Sequence, residues 1–231
     1  LADGEERFAV RSRRELLPHV EWAINWQLAA CQARRLAIHS AVMAREGEAL
    51  ILAAPPGHGK STLAAALLAR GWSYMSDEFA LIEPETLDVV AYPKALCIKQ
   101  GSYQAVLRMG MPLETDRDHR KGKKGRVSFL DPLEVRPDAV AERARVRMVL
   151  FPRYEEGQRA GVHRMSAARG VFELTQLAFN FRRFRGMGLS LVSRLMQGCC
   201  VGRLDAGESW KTCSVIERAW ANRDGQSSRR G

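Results

Sequence analysis

The nine residues Ala54-Pro55-Pro56-Gly57-His58-Gly59-Lys60-Ser61-Thr62 constrain this chain more than any other stretch. They follow an apolar run, residues 49–53, and lead into an Ala/Leu-rich run, residues 61–70, that Gly71 stops. Strand, small-residue loop and helix in that order make a phosphate cradle. Glycines let successive backbone N–H groups wrap a polyphosphate, and the helix N-terminus adds its positive end. Such a loop binds nucleotide through Gly57, His58, Gly59, Lys60, Ser61 and Thr62. The Lys60 ammonium reaches the β- and γ-phosphate oxygens, and the Ser61 hydroxyl ligates Mg²⁺. The strict P-loop pattern has Gly six places before the lysine, where this chain has Ala54. Ala serves there if its φ is negative. ATP and Mg²⁺ are the cofactors the motif predicts.

A phosphate loop needs an acidic partner. Asp77 and Glu78 follow the short apolar stretch Tyr74-Met75-Ser76, seventeen residues after Lys60. An acidic pair at a strand end can hold Mg²⁺ with one carboxylate and take a hydroxyl proton with the other. A solvated turn is the alternative. His39, in Ile38-His39-Ser40 on the strand before the loop strand, reads either as a half-buried strand histidine or as a catalytic group.

The rest of the chain reads as an α/β domain with a helical C-terminal part. Its 231 residues, 46% hydrophobic and 27% charged, suit one globular domain. Residues 1–35 form an N-terminal helical segment, 36–222 the main domain, and 223–231 a polar tail expected to be disordered. Residues 16–35 are expected to be an amphipathic helix, with Val20, Ile24 and Leu28 on one face beside Trp22 and Trp26. Strands are expected at 36–44 and 49–54, joined by the turn Arg45-Glu46-Gly47-Glu48, and at 72–76, 79–83, 87–91 and 95–98. Ser102 would cap a short helix to Arg108, and 112–126 reads as a long loop. A buried strand over 145–151 is ended by Pro152. Helices follow at 167–180, 189–197 and 208–222, with Cys199 and Cys200 packed in a short strand. Five cysteines with no CxxC spacing fit reduced thiols in a cytoplasm. No run of eighteen apolar residues predicts a membrane span, and residues 1–7 lack the basic-then-apolar pattern of a signal peptide.

The formal net charge of +10 favours anionic partners. Only seven of the thirty-six basic residues are lysines, and three of them, Lys60, Lys94 and Lys99, are expected near the site. Lys94 and Lys99 flank a strand, either as phosphate or substrate contacts or as solvated edge lysines. Arg153, just past the buried strand, either stabilises a transferred phosphoryl group or makes a structural ion pair. The basic stretch from Arg117 to Arg126 is either a flap over phosphates or a solvated loop. It has no Phe, Tyr or Trp on which bases could stack, which argues against nucleic acid as a partner. Phe172, Leu174, Leu177, Phe179, Phe181 and Phe184, around Asn180, read as core or as the packing surface of a homo-oligomer.

In His39, the 54–62 loop, Arg70-Gly71 and Asp77-Glu78 the chain resembles the HPr kinase/phosphorylase group, whose nucleotide fold is related to phosphoenolpyruvate carboxykinase. That group has a histidine upstream of its P-loop, a short helix ending in Arg-Gly, and an acidic pair at the end of the next strand. The segments Ser76-Asp77-Glu78-Phe79-Ala80-Leu81-Ile82, Tyr92-Pro93-Lys94-Ala95-Leu96-Cys97-Ile98-Lys99, Arg120-Lys121-Gly122, Phe151-Pro152-Arg153-Tyr154 and Leu177-Ala178-Phe179-Asn180 are similar to the subgroup called HprK-related kinase A. The resemblance implies a P-loop core of HPr kinase/carboxykinase type and an ATP-dependent kinase acting on a Ser or Thr hydroxyl of a protein or peptide. It casts Asp77 as the base, His39 as a group that orients or charges the site, and Ser61 with Glu78 as the Mg²⁺ ligands; the two acids can be exchanged. The Glu-Ile-Arg-Gly-type signature tied to reverse catalysis is absent, as is the separate N-terminal domain of HPr kinase. The expectation is therefore a kinase without phosphorylase activity and with an acceptor other than HPr. A non-catalytic ATP-binding module and a small-molecule or carboxykinase-like enzyme are the alternatives.

Overall fold

The computed structural model describes residues 10, 12–122 and 125–222; the 223–231 tail and two lysines of the basic stretch, Lys123 and Lys124, lie outside the described residues. The first hairpin is β1 (Leu36–Arg45) and β2 (Glu48–Ala53). Arg45 pairs with Glu48, which leaves Glu46 and Gly47 as a two-residue turn, with φ of 54° and 77°. Two positive φ values give the type I′ turn, whose twist matches that of the strands it joins. β2 then peels away into the glycine loop, and α2 (Lys60–Ala69) follows. Residues Leu63 to Leu68 of that helix are all buried. A helix apolar on every side belongs inside, and this one lies between the sheet and the C-terminal helix α7 (Ser209–Asn222).

On its other edge β1 pairs with both β3 (Ser73–Ser76) and β4 (Phe79–Ile82). The pairs Val42↔Ser76 and His39↔Phe79 keep one register, so β3 and β4 are one strand interrupted at Asp77 and Glu78. The Ser76 hydroxyl accepts the N–H groups of Glu78 (3.2 Å) and Phe79 (3.0 Å), and so stabilises the break. β5 (Asp88–Val90) continues from β4 and also pairs with the start of β9 (Arg143–Tyr154). Since β9 pairs with β2, strands β9, β2, β1, β4 and β5 close into a ring. Parallel to β9 on its other edge runs β11 (Cys200–Ala206), and β10 (Gly161–Arg164) is antiparallel to β11. Along β2, Leu50 and Leu52 pack toward α2 and α7, while Ala49, Ile51 and Ala53 pack toward α5 (Ala167–Thr175) and α6 (Met187–Gly198). The period of two is kept with both faces buried. A smaller sheet of β6 (Leu96–Lys99), β7 (His119–Arg120) and β8 (Arg126–Leu130) stands beside it, with α3 (Tyr103–Arg108) and α4 (Pro132–Val135) in its connections.

Several expectations need correction. The C-terminal third is not only helical, because β10 and β11 extend the main sheet. Pro152 does not end β9: it pairs in register with Leu204 of β11. β2 accompanies β9 only as far as Leu150, so one edge of β9 is unpaired by then, and an edge tolerates a missing N–H. The stretch 112–126 contains β7, and Arg126 bonds the buried Asp118. The helix expected over 167–180 stops at Thr175. Residues beyond it serve the sheet instead: Leu177 accepts the N–H of His39 (2.8 Å) and Phe179 donates to Ala37 (2.9 Å), along the edge of β1 that β2 has left. Within the aromatic group around Asn180, Leu174 and Phe184 are buried, whereas Phe172 and Phe179 are both 55% exposed. Ser102 makes no capping bond and instead accepts from Thr62 (2.8 Å).

The N-terminal helix α1 (Arg13–Cys31) also departs from expectation. It buries Pro18 and Asn25, while Leu16, Leu17, Val20, Trp22, Ile24 and Trp26 are exposed. Polar bonds hold it to the domain. Asn25 accepts from Tyr92 (3.0 Å), and Asn180 ties the exit of α1 to β1 by bonding Gln32, Arg35 and Ala37. Among the described residues no helix is long and apolar enough to cross a membrane.

Glu46 holds a left-handed φ that a β-carbon disfavours and that Asn tolerates better. Glu46→Asn is expected to stabilise the chain, read as an upward shift of the urea midpoint at unchanged slope.

Candidate active site

The glycine loop lies at the C-terminal end of β2, between two left-handed glycines and a buried lysine. Gly57 has φ 97° and Gly59 has φ 78°, conformations open to glycine at no steric cost. Gly59 occupies the N-cap position of α2, where its carbonyl accepts from Leu63 (2.9 Å). Ala54 is not among the residues with positive φ, so the smallest side chain is tolerated where the strict pattern has glycine. Lys60 is only 6% exposed. Its ammonium donates to the carbonyls of Ala54 (2.6 Å) and Pro55 (3.0 Å) and lies 3.2 Å from His39 Nε2. An ammonium can only donate, so Nε2 accepts and Nδ1 carries the proton, directed at the Glu78 carbonyl at 3.2 Å. His39 thereby links Lys60 to the acidic pair, and Phe179 packs edge-on against its ring.

The two acids face different surroundings. Asp77 is 5% exposed; its Oδ2 accepts from the Cys97 amide (3.1 Å), and its Oδ1 is buried with no hydrogen-bond partner. Burial pushes its carboxyl above the ordinary range, opposed by the charges of Lys94 and Lys60 and by the nearby Ser61 hydroxyl. Glu78 is more open, with its side chain 3.5 Å from His39 Nδ1. Burial raises its carboxyl too, opposed by Lys94 and reinforced by Asp77. A divalent cation fits beside Ser61 and Asp77. Mg²⁺ takes one or two carboxylates together with substrate phosphates, and Asp77 Oδ1 is a buried acceptor without a donor.

A residue that sequence reasoning passed over completes the charge balance. Glu21 of α1 bonds Lys94 through Oε1 (2.6 Å) and Lys121 through Oε2. Burial alone would raise the Glu21 carboxyl, but the two ammonium groups bring it below its ordinary range. Burial would lower Lys94, and Asp77, Glu21 and Glu78 together raise it instead. Nothing local in the sequence marks Glu21, because its partners lie 73 and 100 residues away. Lys121 belongs to the expected flap, yet it is held in this buried cluster.

Two cavities flank the loop, separated by a ridge of Pro55, Gln176 and Leu177 that lines both. One, of about 680 Å³, has His39 and Glu78 on its wall among Trp22, Trp26, Phe79 and Phe179. The other, of about 570 Å³, is lined by His58, Arg153, Arg164, Arg169 and Arg203. Of the residues predicted for the site, His39, Lys60, Ser61, Asp77, Glu78 and Lys94 come together; Arg153 stands on the wall of the second cavity, and Lys99 lines neither. Arg203 escaped sequence reasoning because the short strand expected at Cys199 and Cys200 runs on to Ala206, and Arg164 because no strand was expected at 161–164.

No protein-family profile matches the chain, and no curated protein matches it. Among solved structures, the HPr(Ser) kinase/phosphatase from Coxiella burnetii is similar at 11% identity and a TM-score of 0.44, over 84% of this chain and 96% of that one. At that level it adds nothing to what the side chains themselves indicate.

Two outcomes follow from the charge cluster. Glu21→Gln leaves Lys94 and Lys121 without their shared carboxylate and is expected to cost about 3 kcal/mol, with faster hydrogen exchange in α1; unchanged stability and exchange would refute the tie. Both acids sit above the ordinary carboxylate range, and only an ionised carboxylate accepts a proton. Any base-dependent turnover should therefore fall, as pH drops, through a midpoint above that of an ordinary carboxylate. Lys94→Met removes the cation that opposes the shift and should move that midpoint higher.

Proposed function

We propose that the chain is an ATP-dependent phosphotransferase that phosphorylates a Ser or Thr hydroxyl on a protein or peptide, with a P-loop core of the HPr kinase/carboxykinase type. The observation that carries this reading is the convergence of Lys60, Ser61, His39, Asp77 and Glu78 at one end of a glycine loop. A purely nucleotide-binding module needs the lysine and serine. It has no use for a second, half-buried acid with a raised pKa on the wall of an open cavity.

In this reading the loop amides and Lys60 hold the polyphosphate, with the ammonium exchanging its Ala54 and Pro55 carbonyls for phosphate oxygens. His39 holds the ammonium from the side as a neutral acceptor. Mg²⁺ supplies charge neutralisation when bound, on Ser61 and one acid of the pair. The surroundings favour Asp77, beside Ser61, for the cation, and Glu78, on the cavity wall, for the proton of the attacking hydroxyl. This is the exchanged form of the roles implied by the family resemblance. The hydroxyl oxygen attacks the γ-phosphorus, its proton passes to the carboxylate, and ADP leaves. Positioning and charge supply most of the acceleration. Reaction in the kinase direction alone is part of the proposal, as is a cytoplasmic setting.

Lys60→Ala is expected to abolish measurable ATP binding by calorimetry while leaving the fold intact. Glu78→Gln should keep Mg²⁺-dependent ATP binding and lose roughly two to four decades of turnover, whereas Asp77→Asn should lose the Mg²⁺ dependence of binding. The reverse pattern would restore Asp77 as base. With γ-labelled ATP and a lysate of the source cell, label should enter protein; label only in small metabolites would point to a small-molecule kinase, and no label to a binding module.

A further inference from the structure

The cavity that carries Glu78 also carries aromatic rings, and the chemistry above makes no use of them. Trp22 and Trp26, four residues apart on α1, stack with ring centroids 5.9 Å apart and planes 23° from parallel. Phe179 lines the same cavity and meets both the His39 ring (5.8 Å) and the Phe79 ring (5.3 Å) edge to face. Trp22, Trp26 and Phe179 are exposed, whereas Phe79 is buried. Three large rings left in water beside a candidate base mark a place where a ligand gains by covering them. The volume of about 680 Å³ lies within the span of roughly 300–1,000 Å³ that ligand pockets cover. The aliphatic residues exposed elsewhere on α1, Leu16, Leu17, Val20 and Ile24, are not on this wall, so the helix presents its tryptophans to the cavity.

Two observations decide what belongs there. The first is position. The ammonium of a phosphate-loop lysine meets the β- and γ-phosphate oxygens. Here it lies 3.2 Å from His39, and His39 lines this cavity. The cavity therefore borders the γ-phosphate end of a bound nucleotide, and the nucleobase belongs to the other end of the triphosphate. The second is charge. Lys121 is on the wall, but Glu21 already holds it, and Glu78 adds a carboxylate. Such a wall gives an acidic or phosphorylated flank nothing to pair with, despite the chain's net charge of +10. It suits an uncharged, bulky apolar group next to a hydroxyl.

We infer that this cavity is the acceptor site and that it selects a Ser or Thr flanked by a bulky apolar side chain. That side chain covers Trp22, Trp26 and Phe179, which sets the neighbouring hydroxyl beside Glu78. The helix α1 is thereby part of the acceptor site. Phosphorylation of the bound hydroxyl rests on the kinase reading; the apolar selectivity of the cavity does not.

The probes are two acetylated, amidated dipeptides, phenylalanine before serine and serine before phenylalanine, titrated into the full chain by ligand-observed NMR. At least one is expected to bind with roughly millimolar affinity. Alanine in place of its phenylalanine, or Trp26→Ala in the protein, should weaken binding roughly tenfold to a hundredfold, as for an apolar side chain left in water. Aspartate in place of the phenylalanine should weaken it at least as much, and added salt should not weaken the apolar probe. Trp26→Ala should keep wild-type ATP affinity by calorimetry. Trp22→Ala repeats the test should Trp26→Ala prove unstable, and circular dichroism reports the fold of each. Failure of both dipeptides to bind, equal binding of the phenylalanine and alanine probes, or tighter binding of the aspartate probe overturns the inference. So does a loss of ATP affinity in a folded Trp26→Ala, which would give the rings to the nucleobase. Failure of the wild type to bind ATP would instead sink the kinase reading and leave the dipeptide result legible.

Discussion

The register of β1 against its neighbours is the constraint on which the candidate site depends. One edge of β1 pairs with β2, which sets where the glycine loop begins. The other edge pairs with the interrupted strand β3–β4, which sets Asp77 and Glu78 across from Ser40, whose N–H bonds the Glu78 carbonyl at 3.2 Å. His39 lies next along β1, between the loop lysine and the acids. A slip of one residue on either edge would turn every side chain to the opposite face. With both faces of the sheet filled by separate apolar clusters, such a slip has nowhere to put its side chains.

Around that frame the buried charges balance. Lys60, Lys94 and Lys121 are matched by Glu21, Asp77 and Glu78 within one neighbourhood. Each group alone would be costly to bury, and removing one leaves another uncompensated. The helix that carries Glu21 is fastened by these polar contacts more than by its apolar side chains, six of which face outward. Pro55, Gln176 and Leu177 keep the two cavities apart, and Leu177 is fixed there by the N–H of His39. One offers aromatic surface and an acid, the other guanidinium groups.

Local chemistry made part of this legible in advance. Glycines before Lys60, an Ala/Leu run after it and an apolar run before it are short-range signals, and the observed loop, α2 and β2 follow them closely. The hairpin turn at Glu46-Gly47 is equally local. What failed was long-range. A proline reads as a strand end until a partner strand is known, and Pro152 stands within β9 because β11 runs alongside. Apolar residues at helical spacing read as a buried face, yet α1 turns its polar residues inward because ammonium and hydroxyl partners wait there.

The sequence by itself therefore determined the elements whose causes lie within a few residues: the glycine loop, the helix it opens, the acidic pair and the strands on either side. Tertiary structure alone decided which distant groups share a site. Glu21 with Lys94 and Lys121, and His39 with Lys60 and Glu78, are each brought together by strand pairing or helix docking. Spacing along the chain carries no trace of such partnerships, because electrostatic and packing energies depend on distance in space.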